Sequence, residues 1–268
     1  MLGKLLKYEL KATAHYFLPL FAAMLIFPII MRLFGGVFGQ ELSWIGGLLM
    51  FIEVILMIAL AVMVLVITIL RFYKNLLGSE GYLMFTLPVS AHHNILSKLL
   101  AATLWNIASG LVVMISIFII AGFANIAEML SSGWQTFSYM LRFELNLNPA
   151  MMLFQWSIVG LICVACNILM LYLAMAIGQL ANERKFWASF GAYVGIQIAG
   201  GILTSTIGAS IATMPGPWIR ALSAWFESLS TGALVQTITL IVALAAIACG
   251  AVYYFLTHWL LKRKLNLT

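Results

Sequence analysis

Residues 45–70 read IGGLLMFIEVILMIALAVMVLVITIL, a continuous apolar run in which Glu53 is the one charged residue. A transmembrane helix needs about 20 predominantly apolar residues, and this run is longer than that. A strand of a membrane barrel would alternate apolar and polar residues with a period of two, which this run does not do. The run therefore predicts a membrane-spanning α-helix.

The rest of the chain has the same character. Apolar residues make up 64% of it and charged residues 8%, whereas a soluble domain carries about 25% charged residues. No A-x-A site ends the first apolar run, so a cleaved signal peptide is not expected. The prediction is an all-α integral membrane protein, a single transmembrane domain over residues 1–268, with six spans at about 17–36, 45–70, 95–121, 153–180, 186–211 and 234–260.

Basic residues predict the orientation of the spans, because cytoplasmic loops carry an excess of Lys and Arg. Three of them fall on or near one side: Arg32, Arg142 and Arg220. The other eleven fall on the opposite side: Lys4, Lys7, Lys11, Arg71, Lys74, Lys98, Arg184, Lys185, Lys262, Arg263 and Lys264. Both termini are therefore expected in the cytoplasm. This topology accounts for the net charge of +6, and no nucleic-acid partner is expected.

Residues 2–14 form an amphipathic segment, with leucines on one face and Lys4, Lys7 and Lys11 on another. Such a segment predicts an interfacial helix whose lysines face the anionic headgroups of membrane lipids. A simple anchor that sets topology is the alternative interpretation.

A polar break, RFYKNLLGSEGYLMFTLPVS, separates the second and third spans at residues 71–90. Gly78 and Gly81 allow tight turns around Ser79 and Glu80. Ser90 is a candidate N-cap for the next helix. Before it, bulky apolar residues lie outside the lipid: Tyr82, Leu83, Phe85 and Leu87. They fit either a groove in a cytoplasmic partner or the membrane surface.

Two charges within the spans are Arg32 and Glu53. A charge in hydrocarbon is costly unless it is paired, so the expectation is a structural ion pair, with substrate contact as the alternative for Glu53. Cys163, Cys166 and Cys249 lie in spans without further ligands at usable spacing, so they are expected to be packing residues and no metal site is predicted.

A second break, Met214–Pro215–Gly216–Pro217–Trp218, lies between the fifth and sixth spans. Aromatic and aliphatic residues follow it at helical spacing, and Pro217 suits the first turn of a helix; they are Trp218, Leu222, Trp225, Phe226 and Leu229. This stripe predicts a short helix at the outer leaflet, which is either a lid over a pathway or an aromatic belt.

Residues 78–90, GSEGYLMFTLPVS, resemble the GT-E-LLL-TPVS pattern that follows the second helix in permeases of the type-two ABC exporter class. The opening, Lys4–Leu–Leu–Lys7–Tyr–Glu9–Leu, and the ending, residues 253–267, are similar to those of small Firmicutes members of that class. The likeness covers six spans and both ends. Gly81 and Tyr82 depart from it, since many relatives carry leucines there.

The resemblance implies that the loop is a coupling helix, which docks in a groove of a separate ABC ATPase subunit. The residues that would dock are Gly78, Ser79, Glu80, Gly81, Tyr82, Leu83, Phe85, Leu87 and Pro88. It also implies a homodimer or a heterodimer with a sister permease, and a bacterial cytoplasmic membrane location. An extracellular helical hairpin between helices five and six, with Pro217, Trp218, Leu222, Trp225 and Phe226, would act as a gate.

This chain has no G-x-x-x-x-G-K-[ST] loop and no aspartate, so it is not expected to be an enzyme or to hold a cofactor; ATP and Mg would bind the partner subunit. The predicted function is export of a hydrophobic or amphipathic substrate, such as an antimicrobial peptide or a lipid-like molecule. The alternative is a secondary transporter or channel that needs no ATPase, although such carriers usually place carboxylates near the midplane.

Overall fold

A computed structural model describes residues 2–38, 43–74, 91–181, 184–213 and 216–263, and every regular element within them is helical. A π-helical turn, Met140–Glu144, follows the fourth α-helix. The α-helices of these described residues, in chain order, are α1 (Leu2–Phe38), α2 (Ser43–Phe72), α3 (Ala91–Ala121), α4 (Phe123–Tyr139), α5 (Pro149–Gly178), α6 (Lys185–Thr213), α7 (Pro217–Ser228) and α8 (Thr231–Arg263). The all-helical prediction is confirmed for these residues.

Six of these helices are long and apolar enough to cross a membrane: α1, α2, α3, α5, α6 and α8. They contain 29 to 37 residues, so each is about 44 to 56 Å long and exceeds the roughly 30 Å hydrocarbon core of a bilayer. Each predicted span coincides with one of them to within a few residues, except at the start of α1. This is the architecture of a multi-pass membrane protein.

Many outward-facing side chains of these helices are large and apolar. Large exposed examples occur on every one of the six, among them Leu33, Phe51, Leu111, Phe154, Phe186 and Leu244. A soluble monomer rarely exposes a contiguous apolar patch above a few hundred Å². Lipid tails remove that penalty, so the surface fits a hydrocarbon environment.

Helix α1 corrects the prediction of a separate interfacial helix at residues 2–14. It runs without a break from Leu2 to Phe38, through Pro19 and Pro28. Glu9, Thr13 and Phe17 are all buried, so the face that was expected to lie on lipid continues the packed face of the first span. Lys4, Lys7 and Lys11 are exposed on the other side.

The N-terminal unit of the chain, Met1–Gly133, is built on the packing of α1, α2 and α3. Its core combines residues from the three helices: Phe17, Met24, Leu60, Val64, Ile67 and Val112. Contacts of α1 with α3 join early residues to early residues and late residues to late residues, as described below, so these two helices run parallel. Helix α2 returns between them in the chain.

The C-terminal unit, Trp134–Asn266, is organised around α5, which packs against both α6 and α8. Leu173, Ala176 and Leu260 form its buried centre, with Ile196 and Tyr253 against them. A Cβ atom at Gly178 would overlap Ser189, so a glycine is needed where α5 and α6 approach most closely.

Two helices outside the spans differ from the predictions. Helix α4, between α3 and α5, was not predicted, because its mixture of polar and apolar residues has no long apolar run. Between α6 and α8 the described residues contain a single helix of 12 residues, α7, where a hairpin was expected. Gly216 is its N-cap. Pro217 is its first residue, in the first turn where the sequence predicted it.

Candidate functional site

The predicted docking residues lie outside the part of the chain that the structure describes; they are Gly78, Ser79, Glu80, Gly81, Tyr82, Leu83, Phe85, Leu87 and Pro88. Ser90, the predicted N-cap, lies outside it too. The helix ends on both sides are described: α2 ends at Phe72 and α3 begins at Ala91. Both of these ends contact α1.

Arg71 joins the end of α2 to α1. Its Nη2 atom donates a hydrogen bond of 2.7 Å to the main-chain oxygen of Ala12. A carbonyl oxygen inside a helix can accept this bond because it has a second lone pair beyond the one used in the helix. The last turn of α2 is therefore attached to the N-terminal third of α1.

Lys98 joins the beginning of α3 to α1. Its Nζ atom lies 2.5 Å from Oε1 of Glu9, and it donates a hydrogen bond to that oxygen. The two residues are 3% and 9% exposed. Charges this far from water must be paired to be tolerated, since removing either partner strands a buried charge. The bond attaches α3 to α1 three residues before the point where Arg71 attaches α2.

A second polar contact continues the junction between α1 and α3 by one turn. The indole Nε1 of Trp105 donates to Oγ1 of Thr13 at 2.6 Å, and Thr13 donates to the main-chain oxygen of Glu9 at 2.7 Å. The Trp105 ring also stacks on Phe17, with ring centroids 4.4 Å apart and planes inclined by 16°. We call Glu9, Thr13, Lys98 and Trp105 the anchor cluster.

Asn94 extends the buried face of α3 one turn before Lys98. It is 2% exposed, and its main-chain oxygen accepts a hydrogen bond of 3.0 Å from Ser97. Its side-chain Nδ2 has no hydrogen-bond partner among the described residues. A buried donor without an acceptor costs about 1–3 kcal/mol, so this end of α3 retains an unused hydrogen-bonding group.

The anchor cluster was not predicted from the sequence. Lys98 was counted among the cytoplasmic charges, and Glu9 was noted only as part of an N-terminal resemblance. The two residues are 89 positions apart, so no local pattern connects them. One signal was available: Glu9 lies four residues after Leu5 and four before Thr13, which places an acid on the apolar face of the helix.

The predicted ion pair between Arg32 and Glu53 does not form, and each charge has its own partner on α3. Nη1 of Arg32 donates to the main-chain oxygens of Ile119 and Ile120, at 3.1 and 3.4 Å. These are among the last carbonyls of α3, which have no acceptor role within the helix, and a cation near a helix C-terminus is stabilised by the helix dipole. Arg32 is thus satisfied without a carboxylate.

Gly122 makes room for Arg32 at the end of α3. Its φ is +88°, in the left-handed region that favours glycine. A Cβ atom there would overlap the guanidinium of Arg32. The glycine that ends the helix therefore also opens the path of the arginine to the terminal carbonyls.

Glu53 is 1% exposed and accepts a short hydrogen bond from Ser116 Oγ on α3. Its second oxygen, Oε2, has no hydrogen-bond partner among the described residues. A carboxylate with one hydroxyl donor and no cation is a less complete arrangement than that of Glu9. Substrate contact therefore stays the alternative prediction for Glu53.

The predicted outer gate residues belong to α7. Trp225 and Phe226 contact each other edge to face, with ring centroids 5.1 Å apart, and Trp225 is exposed. Pro217 begins the helix. Trp218 and Leu222 also belong to α7, and their side chains lie outside what the structure describes. A helix covers the positions at which the aromatic spacing predicted one.

The three cysteines are free. Cys166 lies on α5 beside Gly250 of α8, where an added Cβ atom would sit 3.8 Å from that of Cys166. No group of three or more His, Cys, Asp or Glu residues that could hold a metal ion occurs in the described ranges.

Comparisons of the chain with protein-family models, with curated proteins and with solved structures give no match. Its function is therefore argued from its own residues.

Proposed function

We propose that this chain is the membrane permease subunit of an ATP-driven ABC exporter, and that a separate ABC ATPase subunit binds its segment 78–88. The observation that supports this most is the attachment of both helices flanking residues 75–90 to α1, through Arg71 and Ala12 on one side and Lys98 and Glu9 on the other. A force applied between these helices would be received by one continuous helix that is long enough to cross the membrane.

The proposed location is the bacterial cytoplasmic membrane, with both termini in the cytoplasm. The exposed lysines at the start of α1 and Lys262 near the end of α8 support this, because both helix ends are basic. In this orientation Lys98 and Arg71 lie at the cytoplasmic side with the docking segment. Arg32, Arg142 and α7 lie at the outer side, where α7 would form part of the gate.

The proposed assembly contains two copies of the chain, or one copy with a sister permease. Six spans of one chain would line half of a pathway. The substrate would be hydrophobic or amphipathic, of the lipid-like or antimicrobial-peptide kind, since the exposed side chains of the spans are apolar and rich in aromatic residues and Met. ATP and Mg would bind the partner subunit.

Substitutions that should prevent the ATPase from binding segment 78–88 test this proposal. Tyr82→Ser/Phe85→Ser removes two aromatic anchors from the segment, and large buried aromatics often dominate binding energy. We expect the variant to reach the membrane normally and to lose the ATPase during affinity purification. The measurement is the ratio of ATPase to permease in the purified sample, together with ATP hydrolysis by that sample.

The chain offers a matched control. Tyr139→Ser/Phe143→Ser removes the same two residue types from an exposed pair, 59% and 73% exposed, in the segment on the outer side of the proposed topology. This control should retain the ATPase. Equal retention by wild type and by the Tyr82/Phe85 variant would reject the docking segment.

Glu53 favours a second candidate function, an ion-coupled secondary transporter. A buried membrane carboxylate with an unpartnered oxygen is a functional-site hypothesis by default. In that case transport would continue without any ATPase, and Glu53→Gln would abolish it while leaving the fold intact. Purified chain in vesicles with an imposed ion gradient distinguishes the two candidates.

A further inference from the structure

Segment 75–90 has its two flanking helices attached to the same short part of α1. Arg71 bonds to the main chain of Ala12, and Lys98 bonds to the side chain of Glu9, only three residues earlier on α1. The contacts come from opposite flanks, four residues before the segment and eight after it. The N-terminal third of α1 is thus a common attachment point for both flanks.

The two attachments differ in kind. The bond from Arg71 is made to a main-chain oxygen and is exposed to its surroundings, so a substitution at position 12 would preserve its acceptor. The bond from Lys98 joins two buried side chains and depends on both identities. The ion pair is therefore the part of the attachment that the sequence specifies.

Stability alone does not explain a buried ion pair here. Replacing such a pair by apolar residues of similar volume is often neutral or stabilising, whereas removing one partner costs about 3–5 kcal/mol. Apolar side chains of the same helices, Phe17 and Ile95, are almost fully buried. Two methionines would fill the same space, so the pair is suited to specifying one arrangement of α3 against α1.

Helices α1 and α3 are joined again at their other ends. Arg32 near the end of α1 holds the last carbonyls of α3, and between the two ends Trp105 bonds to Thr13 and stacks on Phe17. A displacement of α3 at Lys98 would therefore be transmitted to the other end of α1 and α3, because these parallel helices are joined at both ends. Leu33, 67% exposed, lies next to the far contact.

We propose that Glu9 and Lys98 are positioning residues that transmit the ATP-driven movement of the partner subunit from the flank of segment 75–90 to α1, and through it to the outer end of the α1–α3 pair. This proposal rests on the proposed function, because it requires an ATPase that binds the segment. It assigns the transmission to one buried ion pair.

The test uses Glu9→Met/Lys98→Met, which removes both charges and strands neither. The complex of permease and co-purified ATPase is placed in lipid nanodiscs, with Leu33→Cys as the one thiol after Cys163, Cys166 and Cys249 are replaced by Ala. The readout is the ratio of the labelling rates of Leu33→Cys with and without Mg-ATP. Allosteric coupling of ordinary size changes an equilibrium about 5- to 150-fold, which sets the scale expected for the complex with native Glu9 and Lys98.

We expect the double Met variant to unfold at the same temperature, to retain the ATPase, and to show a labelling ratio near one. If the pair has only a structural role, the double Met variant will show the same labelling ratio as the complex with native Glu9 and Lys98. That result overturns the proposal. If the double Met variant fails to fold, Glu9→Gln/Lys98→Met makes the same comparison, since Gln keeps the shape of Glu.

A control in the same interface separates the ion pair from general loosening. Val112→Ala loosens the apolar core that α3 shares with α1 and keeps both charges and the bond from Trp105 to Thr13, so its labelling ratio should remain that of wild type. A loss of the ratio in this control as well would overturn the specific role of the pair. If the complex without interface substitutions retains no ATPase, the proposed function itself fails, and that outcome appears before any variant is compared.

Discussion

Two buried carboxylates in the N-terminal unit have different partners. Glu9 bonds to Lys98, so its charge is balanced, whereas Glu53 bonds to the hydroxyl of Ser116 and its second oxygen has no hydrogen-bond partner in the described part of the chain. Both sit on faces packed against α3. The difference separates a carboxylate that joins two helices through an ion pair from one that is held by a single hydroxyl donor among the described residues.

The largest effect on the free energy of unfolding is expected from Lys98→Met. It leaves Glu9 as a buried charge without its cation, which should lower the free energy of unfolding by about 3–5 kcal/mol. The measurement is SDS-induced unfolding in mixed micelles, followed by tryptophan fluorescence. The double variant with Glu9→Met serves as the control and should recover most of the loss; a single variant as stable as wild type would show that Glu9 is not buried with Lys98.

A smaller effect is expected from Ser116→Ala, which removes the one described donor to Glu53. Leaving a buried acceptor without a donor costs about 1–3 kcal/mol, so the same unfolding experiment should show a loss below that of Lys98→Met. Ser109→Ala is a suitable control, because the Ser109 hydroxyl is buried on the same helix and has no hydrogen-bond partner among the described residues. Equal losses of unfolding free energy in the two variants would show that the hydrogen bond from Ser116 to Glu53 adds nothing to stability.

The smallest effect is expected in the coupling between Arg32 and Glu53. Because the two residues have separate partners, the losses caused by Arg32→Gln and Glu53→Gln should add to within about 0.3–0.5 kcal/mol. A double-mutant cycle on the free energy of unfolding measures this. A double variant much more stable than the sum predicts would restore the ion pair that the sequence suggested.

The sequence predicted the spans well because an apolar run of spanning length has few alternative structures. It predicted α7 because two signals agree there: a proline suited to the first turn of a helix, and aromatic residues that follow at helical spacing. Helix α4 has neither signal. The continuation of residues 2–14 into the first span was not predicted, because a local amphipathic pattern cannot distinguish lipid from another helix as the cover of its apolar face.

The charged contacts were less predictable. Arg32 and Glu53 have opposite charges and both lie in predicted spans, which made their pairing plausible, but the terminal carbonyls of α3 and the hydroxyl of Ser116 compete for them. Main-chain acceptors at a helix end leave no mark in a sequence apart from the glycine that follows. The partnership of Glu9 with Lys98 depends on the parallel packing of two helices that are not consecutive in the chain.

That parallel packing has a consequence for biosynthesis. Lys98 follows Glu9 by 89 residues, so at a synthesis rate of about 5–20 residues per second it leaves the ribosome roughly 4 to 18 s later. By the end of that interval α1 and α2 have been synthesised, and Glu9 has no cation from α3. Until α3 packs against α1 we expect Glu9 to stay in contact with water, because a charge left alone in hydrocarbon is costly.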